Sequence, residues 1–443
     1  MLVAPARVPA TRRLAATLYG YAFLTDLVLL YPLYVLLFAD TGLSVGQIST
    51  LFVLWAVAGI LLEVPSGALA DALSRRLLLC LAPLLTAAGF ALWVLLPSYP
   101  AFAVGFLLWG AGGALRSGAL EALVFTELDR LGAADRYARL IGRTRTAEVL
   151  GAVGSGVLAG PVFAVGGYLA VGAASVATCL LAAAVAARFP EHRTAPAATA
   201  PAATASAATA SAATASAAVA PLATPSAATP SAAVASAAAP PSGPGEAPDD
   251  DEPGWLDSLR GGLAEVRADR AVRAAVLLVA AVAAIWGGLD EYTGLLARDT
   301  GVAEVTVPLL LLLVWAGMSV GGLLAPWGER LSRRGYAGLL VVAAGALAAG
   351  ALARHPGGFL LLAVAFAAFQ LATVLADVRL QARISGSARA TVTSLAGMAT
   401  DLTTVAFYGA YGLLAGAVGN PVAFAVAVLP YLLVALWLFA GRG

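Results

Sequence analysis

Residues Glu63 to Arg76 read Glu-Val-Pro-Ser-Gly-Ala-Leu-Ala-Asp-Ala-Leu-Ser-Arg-Arg. The stretch leaves one long apolar segment, carries an acid and two arginines, and enters another apolar segment. Pro65 and Gly67 allow bending and close packing near a membrane helix end. Asp71, Arg75 and Arg76 fit a short polar turn at a membrane surface.

The composition around this stretch sets the class. Sixty per cent of the 443 residues are hydrophobic and 12% are charged, with a mean hydropathy of +0.88. A soluble chain of this length needs more charge to cover its surface. A membrane span takes about 20 apolar residues, and many segments here reach that length. The formal net charge is +1, which argues against a nucleic-acid partner. Cys80 and Cys179 lie far apart in apolar segments, without metal-ligand spacing, and read as core residues. His192 and His355 fall in loops without ligand partners, and no Gly-Lys-Ser/Thr phosphate loop is present. These features predict a protein that is not an enzyme and uses no metal or other cofactor.

The Glu63–Arg76 stretch resembles the signature loop between helices 2 and 3 of the major facilitator superfamily (MFS) of transporters, Gly-x-x-x-Asp-x-x-Gly-Arg-Arg/Lys. Gly67, Asp71, Arg75 and Arg76 match, and Ser74 replaces the second Gly. Glu63-x-Pro65-Ser66 resembles one bacterial branch, a drug- and metabolite-efflux-like branch, of that superfamily. So do Leu43-Ser44-x-x-Gln47-Ile48, Arg389-Ala390-Thr391-Val392 and the run Arg116-Ser117-Gly118-Ala119-Leu120-Glu121-Ala122-Leu123, where Leu120 replaces the usual acid. The resemblance implies an all-α integral membrane protein with two pseudo-symmetric six-helix bundles.

Hydropathy predicts twelve spans, near 14–38, 45–70, 77–96, 100–127, 141–164, 167–188, 271–297, 303–328, 337–354, 357–382, 390–418 and 421–441. Residues 1–189 and 271–443 form the two bundles. Residues 190–254, built from Ala, Pro, Ser and Thr, read as a disordered cytoplasmic linker with too few large apolar residues to offset ordering entropy. Leu256, Leu259, Leu263 and Val266 recur at helical spacing and predict an amphipathic interfacial helix over 255–270. Arginines crowd one set of loops, leaving only Arg298 and Arg354 on the other, which places both termini in the cytoplasm. Arg7, Arg12 and Arg13 precede a spanning segment rather than a cleavable signal peptide. Leu73-Ser74-Arg75-Arg76 recurs as Leu331-Ser332-Arg333-Arg334, after the second span of each half. The expected setting is a bacterial plasma membrane, with the chain acting as a monomer in the lipid bilayer.

An ionisable group at the bilayer centre costs roughly 2.5–3.5 kcal/mol on insertion scales, so each one asks for a reason. Asp26, Arg116, Glu121, Asp290, Glu291 and Asp401 are the proton-coupling candidates, with Asp26 expected to pair with Arg116 when ionised. Arg116 and Glu121 stand about 140° apart on their helix and do not share a face. A cytoplasmic gate is expected from Glu63, Gly67, Asp71, Arg75 and Arg76, with Arg389 as partner and Glu329, Arg333 and Arg334 as equivalents in the second half. Asp377 and Arg379 read as a gate or an interfacial pair. The alternative for the arginines is plain topology.

Gly156, Gly160 and Pro161 partly resemble the span-five motif of drug antiporters, but the trailing Gly166-Gly167 is displaced, and small residues at this spacing also serve packing. Phe23, Tyr31, Trp286, Tyr292, Gln370 and Tyr408 are candidates to line a substrate cavity. Asn420 is the only Asn, and Gln370 the only Gln deep in a span, which points to an apolar site. The expected function is therefore proton-coupled efflux, by antiport, of small hydrophobic or amphipathic molecules. The alternatives are a proton-coupled importer of a small polar nutrient and a transport-inactive membrane sensor or scaffold.

Overall fold

The computed structural model describes residues 7–192, 267, 269–384 and 389–440. The expected linker from residue 193 onward and most of the 255–270 helix lie outside the described residues. Secondary structure among the described residues is entirely helical. In the first half these helices are α1 (Arg7–Asp26), α2 (Tyr34–Asp40), α3 (Val45–Ala72), α4 (Arg75–Leu95), α5 (Tyr99–Arg130) and α6 (Tyr137–Ala186). The second half holds α7 (Arg270–Asp290), α8 (Thr293–Arg298), α9 (Val307–Leu323), α10 (Ala325–Gly328) and α11 (Arg333–Leu352). It ends with α12 (Gly358–Gln381), α13 (Arg389–Val418), α14 (Asn420–Val426) and α15 (Leu429–Ala440). Among the described residues, eight helical segments are long and apolar enough to cross a membrane.

Serine chemistry explains where several helices begin. Ser44 and Gln47 form a reciprocal capping box at α3: Gln47 N–H donates to Ser44 Oγ at 3.2 Å and Ser44 N–H to Gln47 Oε1 at 2.9 Å. In the repeated Leu-Ser-Arg-Arg, Ser74 Oγ accepts from Leu77 N–H and Ser332 Oγ from Gly335 N–H, both at 3.1 Å. Each copy thus caps a helix at the equivalent place in its half. The polar turn expected over Asp71–Arg76 shrinks to Leu73 and Ser74, because α3 continues through Pro65 to Ala72.

The helix over residues 137–186 is a hairpin. Gly166 and Gly167 leave helical geometry, Gly167 at φ +58°, where a residue without Cβ is favoured. Ser155 Oγ donates to Val28 O at 2.5 Å, and Leu30 N–H donates to Ser175 Oγ at 2.9 Å. A straight helix would hold Ser155 and Ser175 about 30 Å apart, yet they meet backbone groups two residues apart. They serve the unwound segment between α1 and α2, where Pro32 cannot donate. Non-helical backbone at membrane depth needs such partners.

Helices approach closely through small residues. The α9 backbone at Gly317 and Gly321 lies against the carbonyls of Ala363 and Ala367 on α12, with no room for a Cβ. Across the halves, α3 packs on α13 and α6 on α9.

Candidate functional site

The first and last helical pieces around two breaks carry the polar groups. One break is Leu27–Leu33, between α1 and α2; the other is Glu291–Tyr292, between α7 and α8. Interrupted helices at membrane depth are tolerated where their backbone is buried in protein or lines a cavity.

A cavity opens beside the first break, with about 650 Å³ of empty space counting its mouth. Asp26 at the end of α1 and Arg116 on α5 both face it, as do Thr25, Thr86 and Ser155. Asp26 and Arg116 act on each other electrostatically, but no ion pair within 4.0 Å joins them in the described residues. Gly151 of α6 touches the α1 backbone at Phe23 and Asp26, so the missing side chain lets α6 close the cavity wall. Tyr31 packs edge-on against Trp109, centroids 5.5 Å apart, and against Trp315 of the second half at 6.3 Å. The Tyr31 hydroxyl and the Trp315 indole N–H are buried without a hydrogen-bond partner among the described residues.

Behind this aromatic layer lie two acids. Asp290 and Glu291 are 5% and 6% exposed. The Tyr34 hydroxyl donates to Glu291 Oε2 across the halves. Glu291 Oε1 and Asp290 Oδ1 have no hydrogen-bond partner among the described residues. The Trp315 indole lies beside Asp290. No basic residue among the described ones acts on either acid. A buried charge without a counter-ion is costly.

Further side-chain bonds join the halves at the same end of the molecule. Ser49 and Tyr292 share a hydrogen bond of 2.7 Å. Arg298 Nη1 reaches Asp40 at 2.5 Å, and within the first half the Tyr168 hydroxyl donates to the same Asp40 at 2.5 Å. Gly156 and Gly160 of α6 meet Leu312 and the Val305 carbonyl, so the glycines of the antiporter-like motif are packing contacts between halves. Toward the other end, Glu63 of α3 and Asp401 of α13 are electrostatic neighbours.

The structure distributes the expected site residues unevenly. Asp26 and Arg116 share a cavity, as the pairing expectation required, but stand apart. Glu121 is not among the residues lining this cavity and acts electrostatically on Tyr137. Of the expected cavity residues, Tyr31 lines the cavity. Trp286 is held inside the second half by Thr373 and Tyr431. Tyr292 and Tyr408 pack against Phe52, Gln370 is buried on α12, and Phe23 is half-buried on α1.

The gate residues are likewise spread. Arg75 donates to Ala122 O and Thr126 Oγ1 on α5. Arg333 lies over Trp437, Arg379 lies over Tyr336 and donates to Leu331 O rather than pairing with Asp377, and Glu329, Arg334 and Arg389 are exposed. The Gly67 and Asp71 side chains lie outside the described residues. Trp109, Trp315, Thr25 and Thr86 were not singled out for the cavity; they come to it from separate helices.

Long apolar helices, close small-residue packing and a charged cavity at a broken helix mark a multi-pass membrane protein. The sequence matches the family described as the Major Facilitator Superfamily over residues 16–353, and the chain belongs to that superfamily. No curated protein matches it. Among solved structures, it is similar to the nucleoside transporter NupG with a TM-score of 0.67 at 13% identity, covering 97% of this chain and 100% of that one. A bacterial homologue of the human lysosomal transporter Spinster, inward-facing and unoccupied, gives 0.63 at 14%, covering 98% and 95%. A D-xylose–proton symporter gives 0.60 at 14%, covering 97% and 96%.

These findings correct the expectation of an efflux antiporter for hydrophobic molecules. The solutes named among the similar structures are a nucleoside and D-xylose, and the D-xylose carrier is a proton symporter. The expectation failed because it counted amide side chains as the measure of polarity. The cavity is walled mainly by apolar and aromatic groups and carries its polarity in Asp26 and Arg116.

Proposed function

We propose that this protein is a proton-coupled symporter that imports a small polar solute by alternating access. In this reading the helices make twelve spans in two six-helix bundles, and the arginine bias puts both termini in the cytoplasm of a bacterial cell. The bonds at the Asp40 end then close the outside, and the cavity beside Asp26 and Arg116 is the solute site of an inward-facing state.

The observation that carries the reading is the bond from Tyr34 to buried Glu291. It ties the closure of the two halves to an acid with no cation among the described residues. A proton on Glu291 or Asp290 removes a buried charge, so proton occupancy biases which arrangement of the halves is stable. Asp26 is less suited to this task because Arg116 shares its cavity. Glu63 and Asp401 are proposed to sense opening at the inner end, and Arg75 to brace α4 against α5.

The test is accumulation of radiolabelled uridine, D-xylose or L-phenylalanine by proteoliposomes with an acidic exterior. Accumulation of one of them that a protonophore abolishes supports symport. Equilibration without accumulation, unchanged by the protonophore, refutes it.

A further inference from the structure

The cavity holds two opposite charges that do not satisfy each other. Asp26 and Arg116 both line it, each feels the other's field, and no ion pair joins them. Two further charges act on Asp26, Glu148 more strongly than Arg145, but these bond to one another at 3.1 Å and neither lines the cavity. What remains facing the space is one carboxylate and one guanidinium, held apart, with net charge near zero. The Thr25 hydroxyl lies 3.3 Å from Asp26 Oδ2, so Asp26 keeps acceptor capacity toward the cavity. Trp109, Tyr31 and Trp315 supply flat aromatic walls, and the Tyr31 hydroxyl is a buried donor without a partner among the described residues.

We propose that the solute is a small zwitterion, with an ammonium or other organic cation set against Asp26 and a carboxylate set against Arg116. This rests on the symport reading above and names the solute class for the same cavity. The argument is one of charge balance. A monoanion satisfies Arg116 and strands Asp26; a monocation does the reverse. A neutral polyol or nucleoside leaves both ions with neutral partners only, and charge-assisted bonds are the stronger ones. A molecule carrying both charges answers both groups and adds no net charge to the site. The aromatic walls suit an apolar group on the zwitterion, and an ammonium near Trp109 or Trp315 also gains from the ring faces. Arg116 is the better partner for the carboxylate because its planar fork can bind both oxygens.

The experiment follows pH inside proteoliposomes of the full chain while solutes are added outside. Three zwitterions (L-phenylalanine, L-leucine and glycine betaine) are compared with phenethylamine, which lacks the carboxylate, and 3-phenylpropionate, which lacks the amine. Uridine and D-xylose are the neutral controls. The expected result is proton entry with at least one zwitterion, and apparent affinity for its trimmed analogues lower by roughly 30-fold or more, the factor for removing one partner of a buried charge pair. Arg116→Gln should erase the preference for the zwitterion over the cation, and Asp26→Asn its preference over the anion.

Proton entry with uridine or D-xylose but with no zwitterion overturns the solute class and leaves symport standing. Equal response to zwitterion and trimmed analogue overturns it as well. No proton entry with any solute refutes the symport reading itself, and this inference with it.

Discussion

The Tyr34 hydroxyl of the first half donates to the Glu291 carboxylate of the second. Each residue borders the break in the opening span of its half, so one bond links the two interrupted segments. Tyr34 also packs beside Phe38, Phe52, Phe106 and Trp109, and its position is therefore fixed by the first half's core. The acid is presented to a rigid donor, and parting the halves breaks the contact.

Tyr34→Phe keeps the ring packing and deletes the donor. Glu291 then loses the hydrogen bond to its Oε2, which costs about 1–3 kcal/mol for a buried group. A lower melting temperature in detergent is expected, together with weaker proton-driven uptake. An unchanged melting temperature would show that the bond adds nothing.

Asp40→Asn weakens the clasp with Arg298. Both side chains are about one-third exposed, and such exposed pairs are worth about 0.2–1 kcal/mol. The expected effect is a shift of about 1.4–5-fold toward the arrangement open at this end. Spin labels at Thr41 and Thr300, read by electron–electron distance measurement, should show a larger long-distance fraction.

Ser155→Ala and Ser175→Ala each strip a partner from the unwound backbone at Val28 and Leu30. Both serines are fully buried, so water cannot easily substitute. Each change should cost about 1–3 kcal/mol, seen as a lower melting temperature. Thr86→Ala, which removes a hydroxyl already bonded within its own helix at 3.2 Å, is the control and should melt close to wild type.

Gly160→Val places a side chain where the Val305 carbonyl lies. The helices α6 and α9 cannot then approach as they do here. The variant should insert into membranes and yet favour separation of the halves at the Asp40 end. The same spin-label pair reads it, and a distance distribution like wild type would contradict the close approach.

How much of this was legible beforehand depended on the kind of signal. Helix positions followed from hydropathy, and most ends fell within a few residues. The Leu-Ser-Arg-Arg repeat marked equivalent places in the two halves, although its role as a serine cap was not visible as such. The breaks were missed because a Pro32 or a Glu291-Tyr292 inside a long apolar run lowers hydropathy too little to register. The unwound segments then find their partners, Ser155 and Ser175, more than a hundred residues away. Charge positions gave the list of acids but not their company. Asp26 comes to share a cavity with Arg116, and Glu291 meets Tyr34, only after the chain folds, and in the proposed reading that company separates a solute grip from a proton site. The chemistry of the cavity was hidden for the same reason: Asp26 and Arg116 lie on different helices and face one space only in the fold.

The central claim is that Glu291 carries the coupling proton. The most direct measurement compares wild type with Glu291→Gln in proteoliposomes, following both solute-evoked proton entry and the exchange of internal for external solute, with uridine, D-xylose and L-phenylalanine as probes. Gln keeps the side-chain size and can still accept from Tyr34, but cannot take up a proton. The account predicts that exchange persists while proton entry and accumulation are lost. Proton entry in Glu291→Gln equal to wild type would contradict it.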